Sequence, residues 1–294
     1  MKALRGILLL VIVGVVVGWF ATRPHPLPDD ALAGLVPNLD NGALVFAAAG
    51  CASCHAAIDG PAGLLTGGQR FVSDFGTFVA PNISSDDTYG VGNWSDLELA
   101  SAILAGVGRD GAHLYPALPY TAYNKATLQD VADLIAYLRT LPASDKPNAP
   151  HELAFPFNQR IALGVWKALF VSTEWVLDSP DTAELTRGRY LVEALGHCAE
   201  CHTPRTALGG LDYDNWMAGA PNPSGKGRIP NITDGALSWS EPEISEYLKS
   251  GFTPEFDVVG GSMAAVVRNT ARLSDADRAA MAAYLKAIPA IANE

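Results

Sequence analysis

Cysteine is scarce in this chain of 294 residues: Cys51, Cys54, Cys198 and Cys201 are the four it has. They fall into two Cys-x-x-Cys pairs, and none is left over for a structural disulfide. Methionine is as rare, and after Met1 the next is Met217, so the N-terminal half has no thioether to offer a metal. Positive charge is short, with 20 Lys and Arg against 31 Asp and Glu and a formal net charge of −11. Phosphate backbones repel such a chain, which excludes nucleic acid as a partner. The charge suits a neutral or basic protein partner without choosing one. A strand-like alternation of apolar and polar residues is also missing, which points to an all-α fold with long loops.

Each cysteine pair is followed at once by histidine, His55 and His202. Cys-x-x-Cys-His is the haem-attachment signal: two thioether bonds to the porphyrin and the next histidine as iron ligand. A zinc site needs a second ligand pair at short range, and none lies near either motif. A thioredoxin-like pair needs a βαβ setting, which the pattern does not supply. Two covalently bound haem c groups are therefore expected, on Cys51/Cys54 and Cys198/Cys201. The second N–H of each ligating ring goes to an acceptor that the sequence does not identify.

The sixth ligand separates the two sites. Met263, in Gly260-Gly261-Ser262-Met263, lies 61 residues after His202 (263 − 202) and is placed to give a His/Met haem of raised potential. Met281 reads as packing in the last helix, and Met217 is a weaker loop candidate. The matching place in the first half holds Leu118, 63 residues after His55 (118 − 55), and leucine binds no iron. That haem is five-coordinate or takes another ligand, His113 being the nearest histidine; His25 and His151 lie in the tether and connector, and His197 reads as structural. Asn82, Asn231, Trp94 and Trp239 are candidates to line the pockets and bond propionates. Arg70 and Arg205 are candidates to pair with propionate charge. Turn chemistry and packing are the alternative for each of these six.

The halves are copies. Cys198 follows Cys51 by 147 residues, and the same offset carries Asp130 to Asp277, Tyr137 to Tyr284 and Pro142 to Pro289. Pro81-Asn82-Ile83-Ser84 recurs as Pro230-Asn231-Ile232-Thr233, and Asn93-Trp94-Ser95-Asp96 as Ser238-Trp239-Ser240-Glu241. The reading is an anchor or signal at 1–22, a Pro-rich tether at 23–37, a first domain at 38–146, a connector at 147–180 and a second domain at 181–294. In each copy one helix leads into the motif, a short one starts at Ser95 or Ser240 as N-cap, and one closes the copy. Asn158 to Phe170 reads as a short connector helix with an apolar face. Gly6 to Thr22 carries no charge and follows Lys2 and Arg5, predicting a membrane anchor with its N-terminus inside. A cleaved signal peptide is the competing reading. Either way the body is exported, to the periplasm.

Leu114 to Tyr123 (LYPALPYTAY), Pro81 to Ile83, Phe155-Pro156-Phe157-Asn158, His197 to Arg205 (HCAECHTPR) and Gly260 to Met263 resemble the multihaem cytochrome c subunits of bacterial membrane-bound dehydrogenases for alcohols, aldehydes, sugar acids and molybdenum hydroxylase-type substrates. The resemblance implies two tandem cytochrome c-like domains. It implies electron transfer from a catalytic dehydrogenase subunit to a downstream cytochrome, oxidase or quinone, with no chemistry of its own. Many relatives carry three haems, and the place of Leu118 is often methionine. The open first haem keeps a dihaem peroxidase as the alternative, although such an enzyme needs a distal acid–base group.

Overall fold

The computed structural model describes residues 2–293 apart from 59, 62, 224 and 226. Helix α1 (Lys2–Thr22) is continuous, and its stretch Arg5–Thr22 has a mean hydropathy of 2.2, with no described residue of it fully buried and its last, Thr22, in contact with the body. It is the one described helix long and apolar enough to cross a membrane.

The first repeat is built from α2 (Leu39–Ala48), α3 (Cys51–His55), a hairpin of β1 (Arg70–Ser73) and β2 (Gly76–Val79), α4 (Asp96–Ala105), α5 (Tyr120–Tyr123) and α6 (Leu128–Leu138). The connector contributes α7 (Ala162–Phe170). The second repeat has α8 (Ala183–Arg189), a π-helical turn (Tyr190–Leu195), α9 (Ala199–His202), β3 (Ala220–Pro221), β4 (Arg228–Ile229), α10 (Glu241–Ser250), α11 (Met263–Thr270) and α12 (Asp275–Ala287). The fold is mostly helical, but the all-α expectation needs a correction. Each haem-motif loop contains a two-stranded antiparallel hairpin, Arg70 opposite Val79 and Ala220 opposite Ile229. Strands of four and two residues are too short to display an alternating pattern.

In each repeat the leading and closing helices cross at a glycine. A Cβ on Gly42 would meet the Asp133 carbonyl oxygen at 2.1 Å, and one on Gly188 would meet that of Ala280 at 2.0 Å. Only a bare backbone admits so close a crossing. Val131, Leu134, Ile135 and Leu138 of α6 all face inward, as their helical spacing requires. Ser95 caps α4, its Oγ accepting the Glu98 N–H at 3.2 Å while the Glu98 carboxylate takes the Ser95 N–H at 2.7 Å. At Ser240 the Glu243 carboxylate closes the same turn.

The π-helical turn has a sequence origin. Gly42 to Gly188 is an offset of 146, whereas Cys51 to Cys198 is 147, so one residue has been inserted between them. An α-helix that keeps both ends fixed takes up one extra residue as a π-bulge. With the bulge, Glu193 stands where the first repeat has Phe46 (46 + 147 = 193). Phe46 packs on Tyr137. Glu193 is 2% exposed; it accepts the backbone N–H groups of Val176 and Leu177 and the Tyr284 hydroxyl, and Tyr284 in turn accepts the Trp216 indole N–H.

One apolar cluster runs through both repeats, joining Val45, Phe46, Leu134 and Leu138 to Leu191, Leu195, Leu248 and Leu285. The segment after α1 is not a free tether. Leu27 and Leu32 pack against Leu99, Leu104 and Val131, and the Leu27 N–H donates to Ser101 Oγ at 3.1 Å. Prolines suggested extension, but two leucines at this spacing gain more by covering the first repeat.

Candidate functional site

Both cysteine pairs lie on single helical turns, and none of the four forms a disulfide. Helical pitch presents the two sulfurs of each pair and the following histidine to the same side. The rest of each site repeats bond for bond. His55 Nδ1 is 2.8 Å from the Pro81 carbonyl oxygen, and His202 Nδ1 is 2.8 Å from that of Pro230. A carbonyl only accepts, so the proton sits on Nδ1 and Nε2 keeps its lone pair. Burial holds both rings below the ordinary histidine pKa, partly offset by these bonds, so the neutral form is favoured. The Gly67 N–H donates to the His55 carbonyl at 2.8 Å and the Gly219 N–H to the His202 carbonyl at 2.7 Å, which ties each motif to its loop.

The proline carbonyls are the acceptors that sequence reading left open. The residue after each explains why they are held still. Asn82 Nδ2 donates to the carbonyls of Ser144 and Lys146, at 2.8 and 2.9 Å, and Asn231 Nδ2 donates to that of Ile291 at 2.7 Å. Each Oδ1 accepts the N–H two residues on, from Ser84 and from Thr233, both at 2.9 Å. The asparagines thus latch the segment after the closing helix over the histidine's acceptor, in keeping with the turn-chemistry alternative. Asn82→Ala or Asn231→Ala is expected to lower stability by about 1–3 kcal/mol, the cost of buried carbonyls left unpaired. Aspartate at either place does not rescue, because a carboxylate cannot donate. Denaturant midpoints of the haem-loaded variants measure this.

Several expected roles change. Arg70 is exposed and forms an ion pair with Glu152 of the connector, Nη1 to Oε1 being 2.9 Å. Arg205 pairs with Glu200 and donates to the Gly209 carbonyl at 2.8 Å. Both guanidiniums have carboxylate partners within the protein. His113 is buried, but it sits at the end of α1, where its Nε2 donates to the Thr22 carbonyl at 2.9 Å. Trp94 and Trp239 are half-buried, Trp94 against Leu99 and Leu104, and Trp239 with its ring 5.1 Å from that of Tyr247.

Leu118 and Met263 prove equivalent. Helices α4 and α10 end in left-handed Gly106 and Gly251. The N–H groups of Leu114 and Val259 return to these two glycine carbonyls, each at 2.8 Å. From Gly106 to Leu118 and from Gly251 to Met263 is the same count, because both pairs are offset by 145. Met263 is partly buried and packs on the shared core. Met217 is a core residue instead: fully buried, its carbonyl accepts the Ile232 N–H at 3.0 Å, as Leu65 accepts that of Ile83 in the first repeat.

The two motifs meet. Burial pushes the Cys54 thiol up to about 11, and the neighbouring Cys201 adds to the rise. Around them the contacts cross in both directions. Thr121 of α5 donates to Glu200 at 2.8 Å, and Asn269 of α11 donates to Ser53 at 2.7 Å. Tyr123 and His197 both donate to the Ala49 carbonyl, at 2.8 and 3.2 Å. Glu200, one of the two residues between the second pair of cysteines, therefore bridges Thr121 and Arg205, a role that no sequence signal marked.

These residues fit haem c. Two adjacent thiols and one Nε2 lone pair stand on each motif, in front of an apolar core. Beside Leu118, the hydroxyl of Tyr120 is buried with no protein partner. Among the described residues no group of three or more His, Cys, Asp or Glu forms a compact metal cluster.

Residues 39–142 and 185–289 match the cytochrome c family. The chain belongs to that family. A dihaem cytochrome c-type protein of Cereibacter sphaeroides is 53% identical over 293 residues, 99% of each chain. The fructose dehydrogenase cytochrome subunit of Gluconobacter japonicus is 37% identical, with 92% of this cytochrome aligned to 57% of that subunit. The cytochrome c subunit of the quinone-linked alcohol dehydrogenase of Gluconacetobacter polyoxogenes is 34% identical, over 92% of this chain and 59% of that one. The cytochrome thus spans under two thirds of the length of these two dehydrogenase subunits. It carries two covalently bound haem c groups, one for each tandem domain, and it is an electron-transfer protein.

Proposed function

We propose that this cytochrome is tethered to the bacterial cytoplasmic membrane by α1, holds both domains in the periplasm, and passes electrons from a dehydrogenase subunit to the respiratory chain. Cys51 and Cys54 would hold one haem with His55 as iron ligand, and Cys198 and Cys201 the other with His202 and Met263. Haem supplies one-electron chemistry at iron. The protein's part is to orient and to exclude water. The Pro81 and Pro230 carbonyls fix the ring planes and raise the basicity of the ligating nitrogens. The apolar core around each motif keeps the local dielectric low.

The observation that carries this reading is the meeting of the two motif segments, where Tyr123 and His197 both donate to the Ala49 carbonyl. Carriers attached at these segments would face one another across that interface, which suits exchange of electrons between them. The contacts of Thr121 with Glu200 and of Asn269 with Ser53 tie the two motif segments together. The position of Leu118 leaves the first site without a thioether and the second with one, which separates their potentials.

Pull-down of the full-length protein from native membranes tests the assignment. The expected result is co-purification of a dehydrogenase subunit, and reduction of both haems when that enzyme's substrate is added. Purification with no such subunit, or substrate that leaves both haems oxidised, contradicts it.

A further inference from the structure

Helix α7 is turned inside out for a surface in water. Its exposed residues, together with its N-cap, are Ile161, Ala162, Val165, Ala168 and Leu169. Their spacing makes one stripe along the helix. Ile161, Val165 and Leu169 are 62, 53 and 64% exposed. The single charged side chain, Lys167, points inward instead: its Nζ donates to the carbonyls of Ala105 and Gly106, both at 2.7 Å, and lies over the Tyr120 ring. The stretch before it, Ala154-Phe155-Pro156-Phe157, is exposed as well, Phe155 at 79%. A contiguous apolar surface of this kind marks a contact.

Its position says with what. Gly164, on the inner side of α7, is seated on the last residue of α1, where a Cβ would meet the Thr22 carbonyl oxygen at 2.0 Å. The same oxygen takes the His113 bond at 2.9 Å. The end of α1 carries exposed Trp19 and Phe20, with the Arg23 guanidinium 5.3 Å from the Phe20 ring. Aromatic rings beside a cation are the mark of the membrane–water border. The stripe of α7 is therefore continuous with the apolar surface of α1 at the level where a membrane span ends. The docked segment after α1 gives the body no slack to lift away.

We infer that α7, with Phe155 and Phe157, is a second membrane contact, lying in the headgroup–acyl boundary with Ile161, Val165 and Leu169 in lipid. The inference rests on the reading of α1 as a membrane span. Its consequence is orientation: one span leaves a body free to rotate and tilt, whereas a second contact fixes which face of the haem domains looks along the membrane.

Photo-crosslinking in native membranes tests it. A photoreactive amino acid replaces Val17, Val165, Leu169 or Phe256 in turn in the full-length haem-loaded protein, and adducts are identified by mass spectrometry. All four sites are exposed, so folding is spared. Lipid adducts at 17, 165 and 169, with none at 256 on the second domain, are expected. Lipid at 17 with only protein adducts or none at 165 and 169 overturns the inference and leaves the span standing. Lipid at 256 as strong as at 165 overturns it too, since labelling then ignores position. No lipid at any site overturns both readings.

Discussion

Met263→Leu is expected to lower the potential of the second haem by on the order of a tenth of a volt or more, a modest part of the ~0.8 V that axial ligation spans. It should also remove the near-infrared absorption band of a Met–iron bond. Leu118→Met is expected to do the reverse at the first haem. The pair of variants is informative because the two positions are structurally the same. Each lies an equal number of residues past the left-handed glycine that ends α4 or α10, after the same backbone return. The competing methionine, Met217, is fixed by its backbone in the core, with its N–H on Thr203 Oγ1 at 3.0 Å, and Met281 is buried in α12. Potentiometric titration with near-infrared spectra reads both variants. Unchanged potentials and an unchanged band in Met263→Leu would place the ligand elsewhere.

The second large effect is on folding. Gly42→Val and Gly188→Val each put a branched side chain where even a Cβ would overlap a carbonyl oxygen of the facing helix. The obstacle is backbone and cannot swing away, so the helices must part, opening the core that both repeats share. Overpacking of a well-packed core costs about 1–3 kcal/mol and more when backbone must move, against a total stability of about 5–15 kcal/mol. Both variants should yield little haem-loaded protein, and what forms should unfold at a clearly lower denaturant concentration. Wild-type yield with a wild-type midpoint would mean that the helices do not cross there.

Much of the site was legible because its chemistry is local in sequence. The two Cys-x-x-Cys-His motifs, the offset of 147, the caps at Ser95 and Ser240, and the pairing of Leu118 with Met263 all follow from spacing. What escaped depends on backbone atoms or on partners far along the chain. The Pro-Asn-Ile repeat was visible, but a carbonyl acceptor has no side-chain signature. For the asparagines the spacing leaves propionate bonding and turn chemistry both open, because amides do either; the carbonyls they hold lie some sixty residues away. Arg70 and Arg205 found carboxylates already within the protein. His113 was judged by nearness to the first motif, whereas the end of α1 claims it. The π-bulge was present in the sequence as the change of offset from 146 to 147, and it explains why a buried Glu193 replaces Phe46.

The intact mass of the exported protein is the most direct measure of the whole account, taken beside Cys51→Ser/Cys54→Ser and Cys198→Ser/Cys201→Ser variants. Two added porphyrin masses on the wild type and one on each variant are the predicted values. A wild type carrying fewer than two, or a variant that keeps both, would contradict the assignment of one haem to each motif.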